Sequence, residues 1–344
     1  MVLAIKVLIK DTEKIKQQIS NYIDRDYKLK KEKEFMYIPV KDEIKKDKKF
    51  KNLIYENKKF ESNIKINNII DYFKATKKLL AKDIELIPRA FDIIGNIAIL
   101  EIDNEVKKIE KIVAKAILEV HKNIKTVVKK ASEHEGEFRI QKTSHLAGKR
   151  NKVATHKESG VNLRYDIDEV YFSPRSGNER LRIANMVKKN ENILVMFSGI
   201  APFNLVIAQN SNAKKILGIE KNPKGHKYAI ESLKLNKVIN ASNKIELIKG
   251  DVKTEIPKLV KKRIKFDRII MPLPRTAKDF LPDALKVSKK GTIIHLYAFP
   301  ETEKMKEYIT EVLKAHKRLK LISTNICGTF SPKISRVCYD LRVE

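Results

Sequence analysis

The residues best placed to do chemistry lie at the ends of apolar runs in the second half of the chain. The run 192-NILVMF-197 passes into 197-FSGIAPF-203, a glycine-containing turn that lets the backbone approach a ligand at the carboxyl edge of a sheet. The turn lacks a full G-x-G-x-x-G, and it is too poor in glycine to admit a pyrophosphate, which disfavours a nicotinamide cofactor. The run 215-KILGIE-220 ends in Glu220, an acid placed either to accept both hydroxyls of a ribose or to sit as a surface carboxylate near a helix start. The next run ends in 250-GD-251, where Asp251 can meet an adenine amino group. The one after it ends in 271-MPLPR-275, a rigid rim against which a substrate base can rest. Two acids at strand ends plus the glycine turn form a nucleoside-binding set, and together they favour S-adenosylmethionine.

Ahead of these runs lies 171-YFSPRSGNERLRIA-184. Ser173 followed by Pro174 reads as a helix start with a cap. Arg175 and Glu179 are i,i+4 neighbours that either pair on a solvated face or serve a site. Arg175, Arg180 and Arg182 crowd this segment beside the nucleoside set.

The elements that position these residues alternate strand and helix from residue 171 onward. Strands are expected at 192–197, 215–220, 245–250, 266–272 and 291–299, with helices at 202–209, 224–236, 277–288 and 302–316. The first two strands are continuous apolar runs, as in a parallel sheet covered on both faces. Two further runs, 319-LKLISTNICG-328 and 334-ISRVCYDLRVE-344, complete a seven-stranded sheet with an antiparallel end. The expected class is α/β, with two smaller α+β domains ahead of the sheet. Residues 1–65 show strand 2–9, a helix capped by Asp11 or Thr12 through about Tyr22, strand 35–40, and a charged 41–60 stretch of surface loop or edge. A bridge over 66–82 leads to a middle domain at 83–170. It opens with 88-PRAFDIIGNIAILEI-102, a strand pair turning at Gly95-Asn96, and continues with a helix at 105–120 whose face is Ile109, Ile112, Val113, Ala116 and Ile117. A Gly- and His-containing stretch at 133–150 follows.

Bulk composition narrows the partners. The 344 residues carry 73 Lys+Arg against 43 Asp+Glu, a formal net charge of +30, which attracts polyanions and points to nucleic acid. Lys and Glu dominate the charged 34%, a bias reported for proteins that work hot. No apolar run is long enough to span a bilayer, and the start lacks a signal-peptide layout, so a cytoplasmic protein with no membrane partner is expected. Cys327 and Cys338 are too few for a metal knuckle, and no metal is expected. They can pair, or stay as buried free thiols.

The blocks 155-THKESG-160 and 166-DIDEVYFSPRSGNERLRI-183, with the MFSGIAPF turn and the M-x-L-P of strand four, resemble the archaeal and eukaryotic tRNA (guanine-37-N1)-methyltransferase family. The similarity runs over nearly the whole chain. It implies a class I (Rossmann-like) methyltransferase domain at 171–344 that uses S-adenosylmethionine, acting as a monomer. It also implies a middle domain that helps hold the anticodon loop and an N-terminal domain that checks the tRNA body. By motif match, Glu179 is the general base and Arg139, in 136-GEFRI-140, holds the guanine O6 side. Tyr171, Arg180, Phe197, Gly199, Glu220, Asp251 and Pro274 fall to the cofactor, and Arg175 and Pro272 to the substrate. His156 is expected to be structural.

Four departures from the family pattern stand out. Val195 replaces an acid, Ala201 a glycine, Glu220 an Asp, and Pro272 an Asn. The Glu/Pro combination resembles an archaeal subgroup that also methylates a carbon of the tricyclic wyosine precursor, 4-demethylwyosine. Two other readings compete: an aminocarboxypropyl transferase of wyosine biosynthesis, and a non-catalytic tRNA-binding protein on the same scaffold.

Overall fold

The computed structural model describes residues 1–132 and 135–344; Glu133 and His134, which open the 133–150 stretch, lie outside the described residues. The chain is α/β and divides into two compact units. One comprises Met1–Arg89, Ile102–Ile124 and Leu146–Gly148, the other Ala90–Glu101, Lys125–His145 and Lys149–Glu344.

In the first unit, β1 (Val2–Leu8), β2 (Lys30–Glu32), β3 (Phe35–Pro39) and β4 (Ile54–Lys58) form a sheet in the order β2-β3-β1-β4. Alternate residues Leu3, Ile5 and Val7 of β1 join Ile38, Val40, Ile44 and Phe50 in its core. The charged 41–60 stretch supplies the edge strand β4. The first helix, α1 (Thr12–Gln18), stops short of Tyr22. Asp11 precedes it with near-helical backbone (φ −98°, ψ −1°), which takes its side chain off the capping position. Farther on, α2 (Ile69–Thr76) and α3 (Ala81–Glu85) occupy the bridge, and α2 packs on α4 (Glu110–Val120). The buried face of α4 is Val113, Ala114, Ala116 and Ile117, whereas Ile112 is 41% exposed.

The second unit opens with β5 (Asp92–Ile94) and β6 (Ile97–Leu100), an antiparallel hairpin across Gly95-Asn96. Gly95 has φ +55°, and a Cβ there would stand 2.5 Å from the Thr155 carbonyl oxygen. Both facts require glycine. Gly95→Ala is therefore expected to lower stability by about 2 kcal/mol, read as a depressed Tm in thermal unfolding; an unchanged Tm would mean that the hairpin relaxes freely.

β7 (Thr126–Lys130) runs parallel to β6, and β8 (Thr143–Gly148) completes the sheet order β5-β6-β7-β8. A hairpin, β9 (Val153–Glu158) with β10 (Val161–Asp166), precedes α5 (Gly177–Met186). There follow β11 (Asn192–Met196), α6 (Pro202–Asn210), β12 (Lys215–Glu220), α7 (Pro223–Leu235), α8 (Lys237–Ala241), β13 (Ile245–Lys249), α9 (Val252–Lys261) and β14 (Phe266–Met271). The chain closes with α10 (Leu281–Lys286), β15 (Ser288–Ala298), α11 (Met305–Ala315), β16 (Leu319–Ser331) and β17 (Ile334–Val343).

The large sheet has the order β13-β12-β11-β14-β15-β17-β16, parallel as far as β15 and antiparallel beyond it. Successive residues of β11 enter opposite apolar layers: Ile193 and Val195 one, Leu194 and Met196 the other. That is why the run reads as uninterrupted apolar. Val195, at the position of an expected acid, is part of this core. The helices α8 and α9 were not expected; Pro257 inside α9 interrupts the pattern of Val252, Ile256 and Leu259 that would have marked it.

Candidate active site

The turn after β11 is held in an uncommon backbone shape. Phe197 (φ +59°), Gly199 (φ +56°) and Ala201 (φ +62°) are all left-handed. Glycine adopts this freely, whereas Phe197 and Ala201 each store roughly 1–2 kcal/mol. The turn is pinned by the next strand: Gly199 N–H donates to Glu220 Oε2 at 2.5 Å, and Ser198 N–H to the Ile219 carbonyl at 2.8 Å. The other Glu220 oxygen, Oε1, accepts from Asn222 N–H at 2.7 Å. Glu220 thus ties together the ends of β11 and β12. Burial raises its carboxyl pKa, opposed by the amides of Asn222, Gly199 and Lys221. Asp251, at the end of β13, accepts from Lys253 N–H at 2.8 Å as the cap of α9 and meets Lys221 at 3.0 Å. The Lys253 amide, then Lys221, hold its carboxyl below the usual range.

Glu220 and Asp251 line one cavity together with Phe197, Gly199, Ile219, Val252, Leu273 and Phe280. Each carboxylate keeps lone pairs beyond those its backbone bonds use. Acceptors for ribose hydroxyls and an amine, set beside flat apolar walls, fit the adenosine portion of S-adenosylmethionine. Arg139, on a left-handed residue (φ +52°), lines the same cavity. Its guanidinium lies 4.8 Å from the Tyr171 ring centroid, and burial, with Arg275 and Arg336 nearby, lowers its pKa.

A second cavity adjoins the first, sharing Tyr171, Phe197, Gly199 and Pro272. Glu179 and Pro274 line it, with Tyr297, Phe299 and Arg336. The Glu179 carboxylate is 8% exposed. Arg182 donates to it from Nε at 2.7 Å and Nη2 at 2.8 Å, and the Tyr297 hydroxyl donates at 2.6 Å. The i,i+4 pair of Arg175 with Glu179 is not formed. Arg175 instead reaches Asp92 with two bonds of 3.1 Å, and among the described residues it lines neither cavity.

Arg180 lines the second cavity with Nε and Nη2 already engaged. It binds both oxygens of Glu158, at 2.5 and 2.6 Å, and the Ser173 carbonyl at 3.1 Å. This pair joins the two motif blocks, 155–160 and 173–180. The expected Ser173 side-chain cap is absent among the described residues; a short 3-10 turn, Pro174–Ser176, leads into α5 instead. His156 packs 5.3 Å from Phe172 with Nε2 3.4 Å from Glu158, and it lines neither cavity. Sequence reasoning missed Tyr297, Phe299 and Arg336. The signal for Tyr297 was a polar interruption of an apolar strand, since His295 and Tyr297 alternate within 291-GTIIHLYAF-299; Phe299 and Arg336 carry no such signal.

Residues 154–323 match the TRM5/TYW2 methyltransferase domain, residues 74–151 the TYW2 N-terminal domain, and residues 4–49 the tRNA methyltransferase 5 N-terminal domain. The chain is 34% identical, with 100% of both chains covered, to tRNA (guanine(37)-N(1))-methyltransferase Trm5b of Pyrococcus abyssi. It is 33% identical to tRNA (guanine(37)-N(1))/4-demethylwyosine(37)-methyltransferase Taw22 of Nanoarchaeum equitans, over 68% of this chain and 91% of that one. Among solved structures it resembles that of aTrm5 in complex with tRNALeu, with TM-score 0.71 and 30% identity, covering 99% of this chain and 100% of that one. Among the described residues no helix is long and apolar enough to cross a membrane.

Proposed function

We infer the reaction from one premise: the chain belongs to the TRM5/TYW2 methyltransferase family. It is an S-adenosylmethionine-dependent tRNA methyltransferase, and it methylates N1 of guanosine at position 37. The observation that carries this reading is the pair of adjoining cavities, one with acids suited to adenosine and one with a buried carboxylate, meeting at Tyr171, Phe197, Gly199 and Pro272. S-adenosylmethionine, when bound, supplies the methyl group. Glu220, Asp251, Gly199, Phe197 and Tyr171 hold it, whereas Pro274, a cofactor residue by motif match, lines the base cavity. Glu179 removes the N1 proton, so that the freed nitrogen lone pair takes the methyl, while Arg139 offers donors to the charge that gathers on O6. Arg180 contributes by fixing the wall through Glu158, and Arg175 stays outside the base cavity. The match to the tRNA methyltransferase 5 N-terminal domain favours methyl over aminocarboxypropyl transfer. The reading takes the enzyme as a cytoplasmic monomer, its net charge of +30 gathering tRNA.

The base cavity is walled by Pro272 and Pro274, neither of which can hydrogen-bond a guanine edge with its side chain. Such a pocket accepts a wider tricycle, and C7 of 4-demethylwyosine is the second acceptor in this reading. The test is to incubate the protein with labelled S-adenosylmethionine and tRNA bearing either guanosine or the tricycle at position 37, and to identify the product nucleoside by mass. A methyl increment on both supports the reading, an aminocarboxypropyl increment replaces it, and no product leaves a binding protein. Pro272→Asn is expected to depress methylation of the tricycle more than that of guanosine, by about 1–3 kcal/mol in relative barrier. Equal loss on both substrates would remove Pro272 as the discriminator.

A further inference from the structure

Behind Glu179 a row of charged side chains runs through the interior of the second unit. Arg182, which holds Glu179 with Nε and Nη2, turns Nη1 to Asp340 Oδ2 at 2.9 Å. Asp340 Oδ1 lies 2.6 Å from His295 Nδ1, and His295 Nε2 lies 2.7 Å from Arg268 Nη1. Arg268 is closed at its far side by Glu191, at 2.8 and 3.1 Å, and by the Met186 carbonyl at 2.8 Å. His295 and Asp340 are fully buried and stand opposite each other in the register of β15 and β17.

The proton positions in this row follow from the donors. A guanidinium has only N–H donors, so Arg268 must donate to Nε2 of His295, and the ring's remaining proton lies on Nδ1, donated to Asp340. His295 is fixed neutral, and burial acts in the same sense. Asp340 is fixed ionised, and it also accepts from Ser323 Oγ at 2.8 Å and Asn325 Nδ2 at 2.9 Å. Ligand atoms of His295, Cys338 and Asp340 lie within 4.8 Å of one another. The guanidinium groups at both ends of the row nevertheless oppose a bound cation.

Glu179 is faced by Arg182 from α5, Tyr297 from β15, Cys327 from β16 and Cys338 from β17, with Asp340 reached through Arg182 and with Arg180 of α5 and Arg336 of β17 on the same cavity. Burial pushes the Cys327 thiol up to about 12 and lifts Tyr297 and Cys338 well above their usual values. Those three are neutral; the charges bonded to the carboxylate in sequence are Arg182 and, beyond it, Asp340, while Arg336 and Arg180, the latter paired with Glu158, stand on the same cavity wall. Formal charges along the row alternate: Glu191, Asp340 and Glu179 are negative, Arg268 and Arg182 positive. The single excess negative charge disappears when Glu179 takes up a proton.

We propose that Asp340 and His295 are positioning residues for methyl transfer, acting through Arg182 to aim the Glu179 carboxylate and to balance its charge. The proposal rests on Glu179 being the base of the reaction. Asp340→Asn takes from Arg182 the charged anchor at its Nη1, so that its hold on the Glu179 carboxylate loosens. Arg182→Gln removes both guanidinium donors that fix the carboxylate.

The test measures single-turnover methylation of tRNA with the full chain, beside calorimetric titration of S-adenosylmethionine. Asp340→Asn and Arg182→Gln should each lower the rate several-fold or more while cofactor affinity stays within about threefold, and Arg182→Lys should return part of the rate. In a Glu179→Gln background the same substitutions should lower the rate no further, because the group they position is already lost. Losses as large in that background as in the wild type overturn the proposal, and so does an unchanged rate. If Asp340→Asn does not fold, the Arg182 variants carry the comparison, because Arg182 lies at the partly exposed edge of the row (28% for its side chain). Glu179→Gln also runs alone. If it keeps the wild-type rate, the base assignment itself fails and the relay with it; if it is slow while the losses simply add, only the relay fails.

Discussion

Glu179→Gln is expected to slow single-turnover N1 methylation by ~10²-fold or more, the worth of a positioned base. The amide keeps the size of the carboxylate and still accepts from Tyr297 and one nitrogen of Arg182, so the pocket walls persist. What it cannot do is take a proton. Its NH2 group also faces an Arg182 donor, so one of the two Arg182 bonds is lost. Affinities for tRNA and S-adenosylmethionine should stay within about threefold, placing the loss in the chemical step. Rapid-quench kinetics with excess enzyme, beside calorimetric titration of the cofactor, separate these quantities. An unchanged quench rate would leave Glu179 as an anchor for Arg182 and Tyr297 and no more.

Glu220→Gln is expected to weaken S-adenosylmethionine binding by ~10- to 100-fold. The two oxygens of Glu220 accept from different amides, Gly199 on one side and Asn222 on the other. A carboxamide has a single oxygen, so one of those N–H groups must face an NH2. The turn carrying Phe197, Gly199 and Ala201 then loses a restraint on its left-handed backbone, and the cavity loses an acceptor for ribose. Calorimetry measures the affinity. A dissociation constant within twofold of wild type would show that Glu220 serves the turn but not the ligand.

The large sheet was legible because its signals are local. Strand 215–220 has the predicted bounds, the turn at Gly95-Asn96 forms as expected, and the two closing strands pair antiparallel. The acids at 220 and 251 reach one cavity because consecutive parallel strands end at the same edge of a sheet. Other features escaped for stated reasons. α9 contains a proline, and the Arg175–Glu179 spacing suits a helix pair, yet Asp92, distant in sequence, takes Arg175. The row behind Glu179 was illegible as a row, because its members come from positions 179, 182, 191, 268, 295 and 340. Only the oddity of His295 and Asp340 inside apolar strands hinted at it.

The row also has a consequence for the order in which the protein matures. Arg182 and Asp340 are separated by 158 positions, and β15 and β17 supply His295 and Asp340. A ribosome adds about 5–20 residues per second, so α5 leaves synthesis roughly 8–30 s before its partner on β17. Through that interval the nascent chain can fold the parallel strands and form the turn at Gly199, since Glu220 is already made. Arg182, however, has no Asp340 to engage until the interval ends. A chain still on the ribosome can thereby form the Glu220 turn well before β17 docks, and β17 brings the last anchor of the Arg182–Glu179 pair.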